Sequence, residues 1–188
     1  GIGRPLGRQD VINHVLNACE YANVPQNRER TYIVGFLEKK CYDSFNFPKA
    51  IPLTKTIRDI VDFENPVEEK FYYTKYKTKF YMELENVMKK DDTVYQWRRV
   101  YVRENKANLC PTLTANMGTG GHNVPLILTK YGIRKLTPRE CFLFQGFDEN
   151  FKLPEEIKQT YLYKMAGNSV VVPLIERIAK NIMESLNI

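Results

Sequence analysis

The stretch Arg134-Lys135-Leu136-Thr137-Pro138-Arg139-Glu140-Cys141 contains a full set of signals for the start of a helix. Thr137 and Glu140 have the spacing of a capping box, in which each side chain bonds the backbone amide of the other residue. Pro138 occupies the first helical position, where its missing amide hydrogen is not needed. Gly146 lies where such a helix should end. We therefore predict a short helix that begins at residue 138 and packs its apolar side chains into a core.

A second helix is predicted at the carboxyl end, where apolar residues recur at the period of one helix face. The stripe consists of Val171, Leu174, Ile175, Ile178, Ile182, Met183 and Leu186. Asn168 and Ser169 precede it in the segment Gly167-Asn168-Ser169-Val170-Val171-Val172-Pro173, and we interpret them as residues that cap its first turn.

Towards the amino terminus the sequence favours strands separated by polar loops. We predict a strand near residues 15–18, a polar turn over residues 23–29, and a strand over residues 31–36, which are rich in β-branched and aromatic side chains. Residues 95–103 are interpreted as one strand with basic groups on both faces. Gly118-Thr119-Gly120-Gly121 is predicted to be a loop.

Four further segments are informative because of their order along the chain. They are Pro25-Gln26-Asn27-Arg28-Glu29-Arg30, Pro111-Thr112-Leu113-Thr114-Ala115, residues 134–147 and residues 167–173. Their order and spacing resemble the eighth motif, the end of the target-recognition region, and the ninth and tenth motifs of the cytosine-5 DNA methyltransferases. The resemblance covers nearly the whole chain.

This resemblance implies an α+β fragment of an α/β S-adenosylmethionine-dependent methyltransferase. Residues 1–62 would supply edge strands of the catalytic domain, residues 63–150 a small, mostly β target-recognition domain, and residues 151–188 helices that return to the catalytic domain. Isolated from that domain, the fragment is expected to expose apolar surface and to be poorly stable.

The resemblance also assigns roles around the reacting base. Arg30 would lie beside the flipped cytosine, and Arg28 would help to hold the DNA backbone, since both should project to one side of an extended segment. Asn168 and Ser169 would line the pocket for S-adenosyl-L-methionine. For an isolated pair of arginines, two solvated side chains in a turn would be the simpler interpretation.

Candidate contacts to double-stranded DNA lie mainly in the middle region. Thr112 is similar to a threonine that contacts phosphate in the family, and the glycine-rich loop would approach base edges. The alternative for that loop is an ordinary hairpin connection. The candidate DNA-binding residues are Gln26, Arg98, Arg99, Arg103, Thr112, Thr114, Asn116, Gly118, Gly120, Gly121, His122 and Asn123.

The amino-acid composition limits the kinds of partner and site that the protein can have. Lys and Arg total 28 against 22 Asp and Glu, and the net charge of +6 suits either a polyanionic partner or an ordinary cationic surface. With two histidines and no closely paired cysteines among four, we predict no metal site. Cys141 is interpreted as a packing residue. No apolar run is long enough to span a bilayer, so a cytoplasmic protein without a membrane partner is expected.

The nucleophile is the feature that the sequence lacks. The family attacks cytosine with the cysteine of a Pro-Cys dipeptide, whereas this chain has only the reverse order, Cys110-Pro111. Glu85-Asn86-Val87 spells the family's glutamate tripeptide on the wrong side of the eighth motif and is treated as coincidence. We therefore expect an amino-terminal catalytic half, in the same or a separate chain. The alternatives are a stand-alone DNA-binding regulator and an RNA methyltransferase of the same superfamily.

Overall fold

The computed structural model describes residues 11–119 and 123–187, which form a mixed arrangement of strands and helices. The strands are β1 (Val11–Asn17), β2 (Gln26–Asn27), β3 (Glu29–Gly35), β4 (Tyr95–Trp97), β5 (Val102–Arg103), β6 (Cys110–Pro111), β7 (Val124–Thr129) and β8 (Gly132–Lys135). The α-helices are α1 (Ala18–Tyr21), α2 (Lys39–Ser44), α3 (Tyr81–Val87), α4 (Pro138–Leu143), α5 (Gln159–Asn168) and α6 (Val172–Leu186). Single turns of 3-10 helix cover Ile57–Asp59, Glu69–Phe71 and Met117–Thr119.

Strands β1 and β3 form an antiparallel pair that confirms the two strands predicted in this region. One face of the pair packs against α6, where Leu16 and Val34 share a core cluster with Leu174 and Ile178. The opposite face carries Val15, which is 57% exposed, and Ile33, which is 70% exposed. Two strands alone are marginally stable in water, so this sheet depends on its packing against α6.

A second sheet has the antiparallel order β5-β4-β7-β8. Its apolar face packs on α3, and the ring of Phe80 stacks on Trp97 with 3.8 Å between centroids. The interpretation of residues 95–103 as one strand is wrong. The chain reverses over residues 98–101, where Arg99 has a left-handed φ of 66°, and the two halves pair with each other as β4 and β5.

Helix α4 confirms the predicted capping box. The Thr137 hydroxyl accepts a hydrogen bond from the Glu140 amide, and the Glu140 carboxylate accepts one from the Thr137 amide at 2.7 Å. The same carboxylate receives two hydrogen bonds from the Arg134 guanidinium, at 2.7 and 2.8 Å. Because Arg134 is fully buried, this ion pair joins β8 to α4 in the protein interior.

Gly146 ends the α4 segment as predicted, with a left-handed φ of 76°. A Cβ atom at this position would lie 2.4 Å from Pro173. Glycine is therefore required both by the backbone conformation and by the close approach of α6.

Two local predictions are wrong. Asn168 is the last residue of α5 and Ser169 follows it, so these residues end one helix and do not cap the next. Helix α6 begins at Val172 without a side-chain cap, and Pro173 fits its first turn. In the predicted polar turn over residues 23–29, β2 instead pairs in parallel with β6.

We predict that Glu140→Ala lowers the free energy of unfolding by about 3–5 kcal/mol, because it leaves the Arg134 charge buried without its partner. Chemical denaturation followed by circular dichroism would measure the loss. Glu64→Ala is the matched control, since its ion pair with Lys130 is solvent-exposed and its removal should not shift the denaturation midpoint. Equal midpoints for all three proteins would contradict the assigned role of the buried pair.

Candidate nucleic-acid interface

Arg28 lies immediately before β3 and is only 5% exposed. Its guanidinium donates to the carbonyl of Leu113 at 2.8 Å, of Gly167 at 3.1 Å and of Ser169 at 2.9 Å. Burial, together with a smaller effect of the nearby charge of Arg30, lowers the pKa of this guanidinium to about 10. Arg28 therefore remains a cation at neutral pH, and its planar donors tie three backbone positions together. The predicted contact between Arg28 and the DNA backbone is wrong, because the guanidinium is buried and occupied.

Gln26 forms a second buried connection. Its amide nitrogen donates to the carbonyl of Phe144 at 2.6 Å, and its amide oxygen accepts from the Leu113 amide at 3.3 Å. Gln145 extends the network by donating to the carbonyl of Ala166 at 2.7 Å. The predicted DNA contact of Gln26 is also wrong, because its side chain is fully buried.

These bonds bring together the four segments whose order resembles that of the methyltransferase motifs. Gly167 packs so closely on the backbone of Thr114 that a Cβ atom would lie 2.3 Å from the carbonyl carbon. Thr112 donates from its hydroxyl to the carbonyl of Asn27 at 2.7 Å. The segments around residues 26–30, 111–115, 144–146 and 167–169 therefore form one hydrogen-bonded unit.

Polar groups remain exposed at the edge of this unit. Arg30 is exposed, and its guanidinium donates to the carbonyl of Glu29 at 2.6 Å. Asn168 is also exposed, whereas the Ser169 hydroxyl donates to the carbonyl of Ala166 at 2.8 Å. Arg28 and Arg30 are thus only two residues apart in the sequence, but Arg28 is buried and Arg30 is exposed.

A cleft of about 410 Å³ lies between this unit and the second sheet. Five of the predicted DNA-binding residues line it, namely Arg98, Arg103, Thr112, Thr114 and Asn123. Residues that the sequence analysis missed also line it, including Asn27, Gln96, Asn105 and Lys106. Gln96 could have been recognised from the sequence, because it stands between two aromatic residues, Tyr95 and Trp97. Successive side chains of a strand point to opposite faces, so Gln96 is expected on the face away from these two rings.

The other predicted DNA-binding residues lie elsewhere. Arg99 is exposed in the turn between β4 and β5, and Asn116 is exposed beside Thr114, whose hydroxyl lies 2.8 Å from its amide oxygen. Gly118 packs against Tyr163, and a Cβ atom there would lie 2.6 Å from that side chain. Gly120, Gly121 and His122, also predicted to bind DNA, lie outside the described residues.

The thiols of this region are not poised for attack on a substrate. Cys110 and Cys141 are fully buried, and burial raises the pKa of both thiols well above the ordinary value. Burial also raises the pKa of Cys19, with a further contribution from Glu20. Cys141 packs in the core as predicted. Within residues 11–119 and 123–187, no cluster of three or more His, Cys, Asp or Glu side chains could hold a metal ion, and no helix has the length and apolarity to cross a membrane.

The fold resembles that of solved methyltransferases. One is the Entamoeba histolytica methyltransferase EhMeth, with a TM-score of 0.64 and 17% identity over 94% of this chain and 54% of that chain. Another is the S. pombe Dnmt2 methyltransferase, with a TM-score of 0.65 and 14% identity over 95% of this chain and 58% of that chain.

The sequence matches the family described as C-5 cytosine-specific DNA methylase over residues 9–184, and the chain belongs to that family. It is 62% identical to the type II methyltransferase M.Bsp6I of Bacillus sp. (strain RFL6) over 92% of this chain and 54% of that protein. It is 33% identical to the type II methyltransferase M.HpaII of Haemophilus parainfluenzae over 92% of this chain and 50% of that protein. The chain thus spans about half the length of these curated relatives.

We predict that Arg28→Lys lowers the free energy of unfolding by about 3 kcal/mol, because a single ammonium nitrogen cannot occupy the positions of the two guanidinium nitrogens that reach these carbonyls and leaves a buried acceptor unpaired. Arg30→Lys is the matched control, since it changes an exposed arginine two residues away and should leave stability unchanged. Thermal and denaturant unfolding of the three proteins would test this. A similar loss of unfolding free energy in both variants would show that the hydrogen bonds of Arg28 contribute no more to stability than the exposed Arg30 does.

Proposed function

We propose that this chain provides DNA recognition and part of the catalytic site of a DNA (cytosine-5-)-methyltransferase. The enzyme would transfer a methyl group from S-adenosyl-L-methionine to carbon 5 of a flipped cytosine in double-stranded DNA. The observation that carries the proposal is the Arg28 network, because it joins the segment that bears Arg30 to the segments that bear Thr112 and Ser169. Base flipping is required because carbon 5 is the reacting atom and an enzyme cannot act on it within the stacked duplex.

Arg30 is the proposed catalytic residue of this chain. Its exposed, planar guanidinium can donate hydrogen bonds to the oxygen of a flipped cytosine. The rigid connection of the preceding residues to the core fixes the backbone from which Arg30 projects, as a positioned donor requires.

Asn168 and Ser169 are the proposed contribution to cofactor binding. Gly167 packs against residue 114 at the end of α5, the Ser169 hydroxyl is held by its bond to the Ala166 carbonyl, and the Asn168 amide is exposed beside it. Both groups can accept or donate hydrogen bonds, which fits a polar ligand. S-Adenosyl-L-methionine, when bound, supplies the methyl group.

The cleft is the proposed DNA-facing surface. Arg98, Arg103 and Lys106 place positive charge along it, and such residues contact phosphates and fix the register of a protein on the duplex. The single acidic residue among the residues that line it, Glu104, pairs with Lys90 at 2.5 Å. The cleft therefore keeps a net positive charge, as a DNA-contacting surface needs.

The nucleophilic cysteine is proposed to belong to an amino-terminal half, in the same or a separate chain. The chain contains no Pro-Cys dipeptide, and burial keeps the Cys110 and Cys141 thiols protonated. The exposed apolar face of β1 and β3, at Val15 and Ile33, is the proposed contact for that half. The type II names of the relatives support a place in a restriction-modification system.

We predict that the chain alone transfers no methyl group from labelled S-adenosyl-L-methionine to mixed-sequence duplex DNA, and that activity appears when the amino-terminal half is added. The part of M.Bsp6I outside its match to this chain can serve as that half, because the relative is 62% identical in the matched region. Co-purification of the two pieces controls for assembly. An assembled but inactive complex that binds DNA would favour the stand-alone DNA-binding function, and activity of the chain alone would overturn the account of the nucleophile.

Within the active complex, we predict that Arg30→Ala lowers methyl transfer at least 100-fold while the melting temperature stays unchanged, because the lost group contacts the reacting base and not the core. Lys39→Ala is the control, since Lys39 is exposed in α2 and pairs with Asp43 one turn away. Retention of full activity by Arg30→Ala would remove Arg30 from the catalytic site.

A further inference from the structure

One wall of the cleft consists of Asn27 and of lining residues 109–112 and 114. Asn27 is the last residue of β2, and it pairs with Pro111 in the parallel bridge to β6. Its backbone carbonyl accepts the hydrogen bond of the Thr112 hydroxyl, whereas its side chain is exposed. The backbone of Asn27 is therefore fixed to the neighbouring segment, and its side chain is presented at the surface of the cleft.

The direction of the Asn27 side-chain amide is set by hydrogen bonds from the interior. The backbone amide of Arg28 donates to the side-chain oxygen of Asn17 at 2.9 Å. Because a backbone amide can only donate, the oxygen of Asn17 must face Arg28, and its side-chain nitrogen must point elsewhere. That nitrogen donates to the side-chain oxygen of Asn27 at 2.7 Å. Asn17 is only 7% exposed, so protein contacts fix this order, and the two N–H donors of the Asn27 side chain are directed away from Asn17.

The other polar side chains of this wall use their hydrogens within the protein. The Thr112 hydroxyl donates to the Asn27 carbonyl at 2.7 Å, and the Thr114 hydroxyl donates to the side-chain oxygen of Asn116 at 2.8 Å. Residues 109–111 contribute no hydroxyl, amide or charged side chain. Among the described residues that form this wall, the Asn27 side chain therefore supplies the N–H donors that a ligand in the cleft can use.

We infer that Asn27 donates a hydrogen bond to a phosphate oxygen of the bound DNA, and that Asn17 is the positioning residue that directs the Asn27 amide. Phosphate oxygens accept hydrogen bonds, and their charge suits the cations that also line the cleft, which are Arg98, Arg103 and Lys106. A hydrogen bond to a charged acceptor is stronger than one between neutral groups. The inference rests on the proposed function and extends it by naming a phosphate contact and the buried residue that orients it.

The first test measures whether Asn27 contacts a phosphate. The chain is assembled with its amino-terminal half, and a binding site is selected from duplexes of randomised sequence. Duplexes with that site then carry one methylphosphonate at a time, which replaces a phosphate oxygen by a methyl group. We expect the wild type to lose about tenfold in affinity at each contacted phosphate. Asn27→Ala should lose as much on unmodified DNA and become insensitive to substitution at one of these phosphates. Asn46→Ala is the matched control, because Asn46 is an exposed asparagine that does not line the cleft.

The second test measures whether Asn17 directs the Asn27 amide. Asn17→Asp keeps an acceptor for the Arg28 amide and replaces the donor by an oxygen, which would turn the Asn27 nitrogen inwards and away from the DNA. At pH 8, where a carboxylate is ionised, we expect this variant to bind unmodified DNA about tenfold more weakly. The same change in the Asn27→Ala background should cause no further loss. Asn17→Ala removes the donor without inverting the amide, so it should show a smaller loss with the same dependence on Asn27 if Asn17→Asp fails to fold.

The outcomes separate this inference from the proposed function. An Asn27→Ala protein that binds as tightly as the wild type, or that loses discrimination at one base pair and stays sensitive at every phosphate, would overturn the phosphate contact. Additive losses for the changes at residues 17 and 27 would leave Asn17 a structural residue. A wild-type complex that binds DNA but transfers no methyl group would overturn the proposed function, and the affinities would still decide the roles of Asn27 and Asn17. A complex that binds no DNA would overturn both.

Discussion

The buried guanidinium of Arg28 is the interaction on which the arrangement of this site depends. A charge in the protein interior is tolerated only when its donors are paired, and here the partners are carbonyls of Leu113, Gly167 and Ser169. These carbonyls lie on two segments that are distant in sequence, so both segments must be in place before the charge is satisfied. The same bonds that offset the burial of Arg28 therefore set the positions of Arg30, Thr112 and Asn168 around it.

The two arginines of the 26–30 segment have different environments and therefore different roles. Arg28 faces backbone carbonyls in the interior, while Arg30 is exposed beside it. The arrangement gives the site a rigid base and an exposed cation at its surface. A similar division separates the buried Arg134–Glu140 pair, which holds β8 to α4, from the arginines that line the cleft.

The cleft combines cationic side chains with amide side chains along its lining. These groups differ in depth, because Arg103 is exposed whereas Gln96 is buried. Arg98 lies in the turn that follows β4 and Arg103 lies on β5, whereas Gln96 lies on β4 opposite Arg103. The folding of residues 95–103 into a hairpin, and not into one strand, is what brings these residues to one face.

The sequence by itself determined the features that rest on local signals. The Thr137–Glu140 capping box, the Gly146 stop, the apolar stripe of α6 and the β-branched strand β3 all require only neighbouring residues, and all were predicted correctly. Tertiary structure decided which polar residues are exposed. Gln26 and Arg28 are buried against partners that lie 118 and 85 residues away in the sequence, and Gly167, next to the end of α5, packs against residue 114. A pattern of neighbouring residues cannot predict such contacts, because the burial of a side chain depends on which distant segments pack against it in the folded chain.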